Sequence, residues 1–311
     1  MTLPETHPLD MPLDMPPGGA EATATAPVRQ RVMVSAIVPA RNEGPCIGAV
    51  VAALLAQRTA TGQPLISEVV VADNGSSDDT AHAARAAGAR VIDVPQPGYG
   101  QACWQAVQAS LGEVLLFVDG DGAANPEQAQ RVLADLCGAQ GTGQLTGQLT
   151  GQLTGQLTAS HTDLVIGVRG DIEPGAMSST QRFGNGLACW LMRCIWRMPA
   201  ADLGPYRAIR RSAFDALDMQ DRSFGWTVEM QVRAHVLGLR VHEVPVTWRA
   251  RTAGVSKISG TWRGVFGAGV GILGMIARLW WQERQRARHR RATDVFPARP
   301  LRAAVQHDDR R

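Results

Sequence analysis

The sequence lacks the features that mark secreted proteins and strongly nucleic-acid-binding proteins. Its five cysteines form an odd set without a CxxC pair, which argues against a disulfide framework and favours reduced thiols in the cytoplasm. The first residues, MTLPETHPLDMPLDMPPGG, contain neither the basic segment nor the apolar run of a secretion signal. A net charge of +3 over 311 residues is small, so we expect no nucleic-acid partner.

Long apolar runs are also missing. The uncharged stretch 264–277 falls short of the roughly 20 apolar residues that a membrane-spanning helix needs. Two tryptophans, Trp280 and Trp281, and an arginine-rich segment, 282–291, follow it. Tryptophan favours the lipid headgroup level and arginines are attracted to anionic lipids. We therefore expect residues 258–311 to form an apolar helix and a basic tail that docks on the inner face of the cell membrane. The alternative is a helix that packs on the catalytic domain or on a second subunit.

Four apolar runs dominate the first half of the chain: VMVSAIVP, ISEVVVAD, RVIDV and EVLLFVD. Each is followed by a polar loop and a helical stretch, which predicts an α/β fold with a mostly parallel, Rossmann-like sheet covered by helices on both faces. We interpret residues 1–31 as a disordered tail and 32–257 as the catalytic domain. The uncharged TGQL repeats at 142–158 are interpreted as a loop insertion.

The second half of the domain continues with mixed elements. DLVIGVR and LRVHEVPVTWRAR are predicted strands. A helix is expected around Arg182–Arg197, and FGWTVEMQVRAHVLG predicts an amphipathic helix that ends at Gly238. The C-terminal extension then begins after Lys257.

Acidic and polar residues directly follow three of the predicted strands. They are Pro39-Ala40-Arg41-Asn42-Glu43, Asp73-Asn74-Gly75-Ser76-Ser77-Asp78, and Asp119-Gly120-Asp121. Ligands of such sheets bind beyond the carboxyl ends of the strands. An Asp after the second strand can accept hydrogen bonds from a ribose or base, and two carboxylates separated by glycine can hold one hard cation. Taken singly, Asp-x-Asp is common in turns, and Asp73 followed by Asn-Gly-Ser-Ser is also typical of a turn that leads to a helix cap.

The three segments together resemble the signature of the family 2 glycosyltransferases. IVPARNE, VVADNGSSDDT and VDGD occur in the family's order. PGYGQA, QRFGNGLA, DLGPYRAIRR and RTAGVSKIS look closest to the dolichol-phosphate mannosyltransferase-like branch. The resemblance implies a GT-A fold, a UDP- or GDP-sugar donor, and Mg²⁺ or Mn²⁺ as cofactor.

The resemblance also implies roles for particular residues. Nucleotide-sugar contacts are expected at Pro39, Ala40, Arg41, Glu43, Asp73, Gly98, Gly100 and Asp119, and metal binding at Asp119 and Asp121. Four basic residues are expected in loops or helix starts at the same edge, where they could bind phosphate: Arg169, Arg182, Arg207 and Lys257.

The acceptor is less well defined by the sequence. An acceptor hydroxyl that attacks with inversion needs a general base, and Asp202 and Glu229 are the candidates. Either acid could instead be the structural partner of an arginine. If the acceptor is a polyprenyl phosphate, no base is needed, because the phosphate is already anionic. Two departures from the family pattern concern this region: Ala123-Ala124 follows the acidic pair where many relatives have a polar residue, and DLGPYR lacks the usual Ser-Gly-Phe step.

Two rival functions remain. A sugar nucleotidyltransferase would carry a glycine-rich loop with several cations after the first strand, whereas PARNEG has one arginine and one glycine. A catalytically silent binding protein would not need both Asp119 and Asp121. The sequence leaves open whether the acceptor is soluble and whether the chain forms a homo-oligomer.

Overall fold

A seven-stranded sheet forms the centre of the computed structural model, which describes residues 32–136, 162–251 and 262–295. The strand order is β3-β2-β1-β4-β6-β5-β7. The strands are β1 Val34–Ala40, β2 Glu68–Asp73, β3 Arg90–Asp93, β4 Val114–Phe117, β5 Leu164–Ile172, β6 Arg207–Arg210 and β7 Val241–Trp248.

Helices cover both faces of this sheet. They are α1 Gly44–Ala56, α2 Thr80–Ala86, α3 Tyr99–Ala109, α4 Ala129–Leu136, α5 Ser179–Trp196, α6 Arg211–Leu217, α7 Trp226–Val236 and α8 Trp262–Val295. One core cluster includes Ile47 and Leu54 of α1 and Leu133 of α4. The cluster on the other face includes Cys103 of α3 and Trp226 of α7. Strands buried on both faces are apolar throughout rather than alternating, which explains the runs that form β1, β2 and β4; the remaining run forms the edge strand β3, which is not buried.

Strand β6 is the exception to the parallel arrangement. It runs antiparallel to both β4 and β5, with Phe117 paired to Arg207. The remaining pairs, including β5 with β7, are parallel. Because β6 runs in the opposite direction, its first residue lies at the edge of the sheet where β1, β2 and β4 end.

The predicted mostly parallel fold and its later elements are confirmed, with one correction. DLVIGVR lies in β5, the helix expected at Arg182–Arg197 spans Ser179–Trp196, and LRVHEVPVTWRAR contains β7. The expectation that Arg169 and Arg207 lie in loops or helix starts is wrong, because they lie in β5 and at the start of β6. The predicted tail 1–31, the TGQL repeats and Lys257 fall outside the described residues.

Helix α8 packs on the body of the protein through one face. Met275, Ile276 and Leu279 are buried against α5 and α7. This agrees with the alternative in which the helix packs on the catalytic domain. Another set of α8 side chains, including Val270, Leu273 and Trp281, is exposed. Within the described residues, no helix combines the length and apolarity needed to traverse a lipid bilayer.

Candidate active site

The loops that follow β1 and β2 are fastened to each other. The backbone N–H of Asn42 donates to Ser76 Oγ at 2.8 Å, and Asn42 Oδ1 accepts from the Ser77 N–H at 2.7 Å. The N–H of Glu43 donates to Thr80 Oγ1 at 2.8 Å. These bonds hold Asn42 in the left-handed region, with φ 50°, where Asn is better tolerated than most residues. The two motifs therefore form one preorganised edge.

The predicted nucleoside contacts lie along this edge with different exposures. Pro39 and Ala40 are the buried last residues of β1, while Arg41 is exposed and Glu43 is buried. The partly buried Asp73 accepts from the Ser76 N–H at 3.0 Å. The turn interpretation thus holds for one Asp73 oxygen, and a carboxylate has further acceptor sites available for a ligand.

Asn74 links this edge to the loop after β3, a role that no sequence pattern indicated. Its buried side-chain amide donates to the carbonyls of Val94 and Gln96 at 2.9 and 2.7 Å. Its Oδ1 accepts from the Gly98 N–H at 2.9 Å. A buried Asn with its donors and acceptor satisfied fixes the relative position of two loops.

Gly98 and Gly100 have a packing role that does not involve a nucleotide. A Cβ on Gly98 would lie 2.2 Å from the carbonyl oxygen of Arg222, and one on Gly100 would lie 2.8 Å from that of Asp221. The N–H groups of Gly100 and Gln101 donate to the carbonyls of Ser223 and Arg222. The loop around Arg222 therefore packs directly on this glycine segment. This close contact leaves no room for a side chain at either glycine.

Three carboxylates converge where β1 and β4 end. Asp121 and Glu43 are buried, and Asp119 is half-buried. The Tyr99 hydroxyl donates to Asp119 Oδ1 at 3.0 Å. Burial, and then the nearby charge of Asp121, raise the pKa of Asp119 above its usual range. Like charges held together in this way favour the binding of a cation.

Arg251 supplies a cation to this cluster, and no sequence pattern had singled it out. Its Nη2 lies 2.6 Å from Asp121 Oδ2, and its Nη1 lies 3.7 Å from Glu43 Oε1. Backbone contacts bring it there: Trp248 at the end of β7 pairs with Ala124, and the Arg249 N–H donates to the Ala123 carbonyl at 2.8 Å. The alanines after the acidic pair thus provide the backbone surface on which the end of β7 docks.

Arg207 is a fully buried arginine at the same edge. Its Nε and Nη1 donate to the carbonyls of Gly204 and Thr227 at 2.8 and 2.7 Å, whereas Nη2 has no hydrogen-bond partner. Burial lowers the pKa of Arg207 to about 10, so it remains charged at neutral pH. Its charge opposes the rise in the pKa of Tyr99 that burial and Asp119 cause.

Partly buried Arg169 forms an ion pair with buried Asp202. Asp202 Oδ2 accepts from both the N–H and Nε of Arg169, at 3.0 and 2.8 Å, and Oδ1 accepts from its Nη2. Nη2 also donates to Asn185 Oδ1 on α5 at 3.1 Å. Arg182 is exposed in the first turn of the same helix. Asp202 thus has the structural partner that the sequence left as an alternative to a catalytic role.

Glu229, the other candidate base, is also fully engaged. Its carboxylate accepts from the N–H groups of Gln220 and Asp221, at 2.7 to 3.1 Å, and pairs with Arg233 Nε at 2.8 Å. It is buried on α7 and holds the loop that packs on Gly98. This geometry supports a structural role for Glu229 and gives no support to the general-base prediction.

The acidic cluster can hold a divalent cation with help from a substrate. Across the described ranges, no group of three or more metal-binding side chains surrounds one position. Mg²⁺ in nucleotide enzymes is commonly held by one or two carboxylates, with phosphate and water completing the shell. Asp119 and Asp121 fit that arrangement, because both directly follow β4 and Asp121 already binds a cation, the Arg251 guanidinium.

Comparisons with known proteins define the family. The model of glycosyl transferase family 2 matches residues 35–144. An uncharacterized glycosyltransferase of Mycobacterium tuberculosis is 32% identical over 231 residues, which cover 74% of this chain and 92% of that relative. The chain therefore belongs to glycosyltransferase family 2.

Solved structures confirm the predicted GT-A fold. Mannosyl-3-phosphoglycerate synthase from Rubrobacter xylanophilus superposes with a TM-score of 0.63 at 19% identity, covering 82% of this chain and 75% of its own. Glucosyl-3-phosphoglycerate synthase from Mycobacterium tuberculosis, in complex with Mn²⁺, UDP-glucose and phosphoglyceric acid, gives 0.58 at 22% identity, covering 79% and 80%. The latter enzyme has also been solved with Mg²⁺ and UDP.

Proposed function

We propose that this protein transfers a sugar from a nucleoside diphosphate donor to an acceptor, with inversion at the anomeric carbon and with a divalent metal as cofactor. The convergence of Asp119, Asp121 and Glu43 at the carboxyl ends of β1 and β4 carries this proposal. A metal held by Asp119 and Asp121 would neutralise the departing diphosphate. The complexes of glucosyl-3-phosphoglycerate synthase with UDP and Mn²⁺ or Mg²⁺ support the same choice of donor and metal.

The nucleoside is proposed to bind along the edge formed by the loops after β1 and β2. Asp73 would accept from the ribose or base, and exposed Arg41 would cover the nucleoside from the solvent side. Pro39 and Ala40 would shape the floor, because both side chains are buried. Gly98 and Gly100 keep the adjacent loop in position through their contacts with residues 221–223.

Arg207 is the strongest candidate for a phosphate-binding residue among the four predicted cations. Its buried guanidinium has one nitrogen without a partner, and an unpaired buried donor gains most from a ligand oxygen. Arg169 is less available because Asp202 and Asn185 already accept from it. Arg182, which is exposed, and Lys257, which is outside the described residues, remain predictions.

Among the described residues, neither Asp202 nor Glu229 is supported as the general base, and this favours an acceptor that is already anionic. Asp202 and Glu229 each accept from several donors, so the oxygens of both carboxylates are already engaged within the protein. A phosphate acceptor carries its own nucleophilic oxyanion and needs no base. We therefore favour a phosphate acceptor over a neutral hydroxyl.

Between two sources of phosphate, we propose the polyprenyl phosphate over a soluble phosphate ester. Helix α5, whose Asn185 contacts Arg169, presents Phe183 and Trp190 with 71% and 56% of their surfaces exposed. Helix α8 packs beside it and exposes Val270, Leu273 and Trp281. Such apolar surfaces are typical of contact with a membrane or another protein, and arginines such as Arg284 and Arg286 on α8 favour anionic lipid.

Donor use is tested with the purified chain. Its thermal unfolding should be recorded with UDP, GDP or ADP in the presence and absence of Mn²⁺. We expect UDP or GDP with Mn²⁺ to raise the melting temperature, because a ligand that binds only the folded state stabilises it. Slow metal-dependent hydrolysis of the matching nucleotide-sugar should accompany the shift. If none of the nucleotides raised the melting temperature, the family and the fold would stand, but the proposed donor class would be overturned.

Membrane contact is tested by flotation with vesicles of phosphatidylcholine alone or mixed with phosphatidylglycerol. The full chain should float with the anionic vesicles at low salt, and a double variant, Phe183→Ser with Trp190→Ser, should float less. High salt should weaken binding without removing it, because salt screens the arginines only. Self-association without flotation would instead identify these helices as a protein interface and would favour a soluble acceptor.

A further inference from the structure

The ion pair between Arg251 and the acidic cluster has a consequence for how the site binds metal. We propose that Arg251 is an internal counter-cation, which pairs with the metal ligand Asp121 and with neighbouring Glu43 in the donor-free protein and leaves Asp121 when metal and nucleoside diphosphate bind together. The inference rests on the proposed function, in that Asp121 is taken as a metal ligand. It makes Arg251 a positioning residue that couples metal binding to donor binding.

The first argument is steric and electrostatic. Arg251 Nη2 lies 2.6 Å from Asp121 Oδ2, so the guanidinium already occupies space next to that oxygen. A divalent ion binds carboxylate oxygen at about 2.0 to 2.6 Å, so it could not share this oxygen without a severe contact with the guanidinium. Two cations on buried carboxylates also repel each other strongly. Because Asp121 Oδ1 accepts from the Ala123 N–H at 2.9 Å, Oδ2 is the oxygen for which a metal and Arg251 compete.

The second argument is that Arg251 is well placed to leave. Its side chain is 29% exposed, whereas those of Asp121 and Glu43 are buried. Its Nη1 forms no hydrogen bond and lies 3.7 Å from Glu43. The preceding backbone is fixed separately, since the Ala250 N–H donates to Glu173 Oε2 at 2.9 Å and the Arg249 N–H donates to the Ala123 carbonyl. Rotation of the side chain alone can then free the acids.

The third argument concerns what accepts the displaced guanidinium. A metal ion alone gives Arg251 no new partner, so binding of the ion would cost the whole ion pair. A nucleoside diphosphate held by the same metal brings anionic oxygens that a guanidinium can bind in a bidentate manner. Release of Arg251 is therefore favourable only when both ligands are present. The expected behaviour is weak binding of metal alone and strong mutual enhancement between metal and nucleotide.

The test is Mn²⁺ binding followed by the electron paramagnetic resonance signal of free Mn²⁺, with and without UDP or GDP. The variants are Arg251→Gln, which removes the charge, and Arg251→Lys, which keeps it. The control is Arg249→Gln, because Arg249 carries the same charge nearby but pairs only loosely with exposed Glu127, at 3.4 Å. Circular dichroism and the melting temperature establish that each variant is folded.

We expect Arg251→Gln to bind Mn²⁺ alone about tenfold more tightly than the unmodified chain, and to lose most of the enhancement by nucleotide, within the usual range of such couplings. Arg251→Lys should lie between the two, and Arg249→Gln should match the unmodified chain. Equal or weaker binding of Mn²⁺ alone by folded Arg251→Gln would overturn the proposal.

The outcomes also separate this inference from the proposed function. If the unmodified chain binds no Mn²⁺ even with nucleotide, and Arg251→Gln binds none either, the metal site itself is wrong. If the unmodified chain binds Mn²⁺ with nucleotide but binds it equally well without, the metal site stands and the role of Arg251 fails. Should Arg251→Gln not fold, the same comparison is made between Arg251→Lys and the unmodified chain.

Discussion

The two halves of the sheet contribute to the candidate site in different ways. Around β1, β2 and β4, side chains such as Asn42 and Asn74 fasten neighbouring loops, so that the acids Glu43 and Asp121 stand on a fixed edge. Around β5, β6 and β7, the cations at the same edge come from separate elements. Arg207 begins β6, and Arg251 follows the end of β7. The first half therefore supplies anionic groups from local motifs, and the second supplies cationic groups through long-range packing.

The sharpest test of the first half is Asp121→Asn, which keeps the shape of the side chain and removes its charge. Loss of a hard metal ligand should lower turnover by about 1000-fold, since metal stabilisation of a leaving group contributes several kcal/mol. The measurement is initial rate against Mn²⁺ concentration, with the melting temperature recorded in parallel. Turnover near that of the unmodified chain in the presence of chelator would show that the acidic pair does not bind a required metal.

The contact between the halves is tested next, by Gly98→Ala. The added Cβ would meet the Arg222 carbonyl at 2.2 Å, and the backbone has φ 146°, so we expect a loss of about 3 kcal/mol in unfolding free energy from overpacking and strain. Gly75→Ala is the matched control: its φ is 71°, but nothing lies within 4 Å of the added atom. Urea unfolding should show the smaller loss, about 1 kcal/mol, for the control.

Glu229→Gln distinguishes a structural carboxylate from a catalytic one in the second half. Because Glu229 pairs with Arg233 and accepts from Gln220 and Asp221, we expect unfolding free energy to fall by about 2 kcal/mol. Turnover of the protein that remains folded should change little. Unchanged stability with turnover reduced by a hundredfold or more would restore Glu229 as the general base.

The smallest effect is expected from shortening the TGQL repeats, which lie outside the described residues between α4 and β5. Removal of two repeats should change unfolding free energy by less than about 0.6 kcal/mol, because the entropy of loop closure depends only weakly on length. Nucleotide affinity should stay the same. A drop of several degrees in melting temperature would mean that the repeats pack against one of the two halves.

The contrast between the halves also explains what could be predicted from the sequence. Each acidic motif directly follows an apolar run, so strand order and the general rule for ligand position were enough to bring Glu43, Asp73 and Asp121 to one edge. Arg251 could not be placed in this way, because its position depends on the contact between Trp248 and Ala124. That contact joins residues far apart in the sequence and leaves no periodic signal.

The partners of buried ionisable groups were equally hard to foresee. Arg207 and Arg169 resemble ordinary loop cations in the sequence, yet both lie in strands, and only the antiparallel course of β6 turns Arg207 toward the edge. Asp202 and Glu229 are candidate bases by sequence, but the number of donors from which each accepts is a property of tertiary packing. Only the hydrogen-bond geometry distinguishes a catalytic base from a carboxylate with a structural role.

The antiparallel pairing of β6 with β4 also bears on the order of events in folding. The strands β1 to β4 can assemble through connections between neighbouring units, whereas Arg207 reaches Phe117 only after the chain has closed a much longer loop. Contacts of high sequence separation form late and slow the overall rate. A one-residue slip of β6 would turn Arg207 to the opposite face of the sheet. A folding intermediate with the acidic edge formed and β6 not yet paired would therefore expose an uncompensated cluster of carboxylates, to which divalent cations could bind before the native chain is complete.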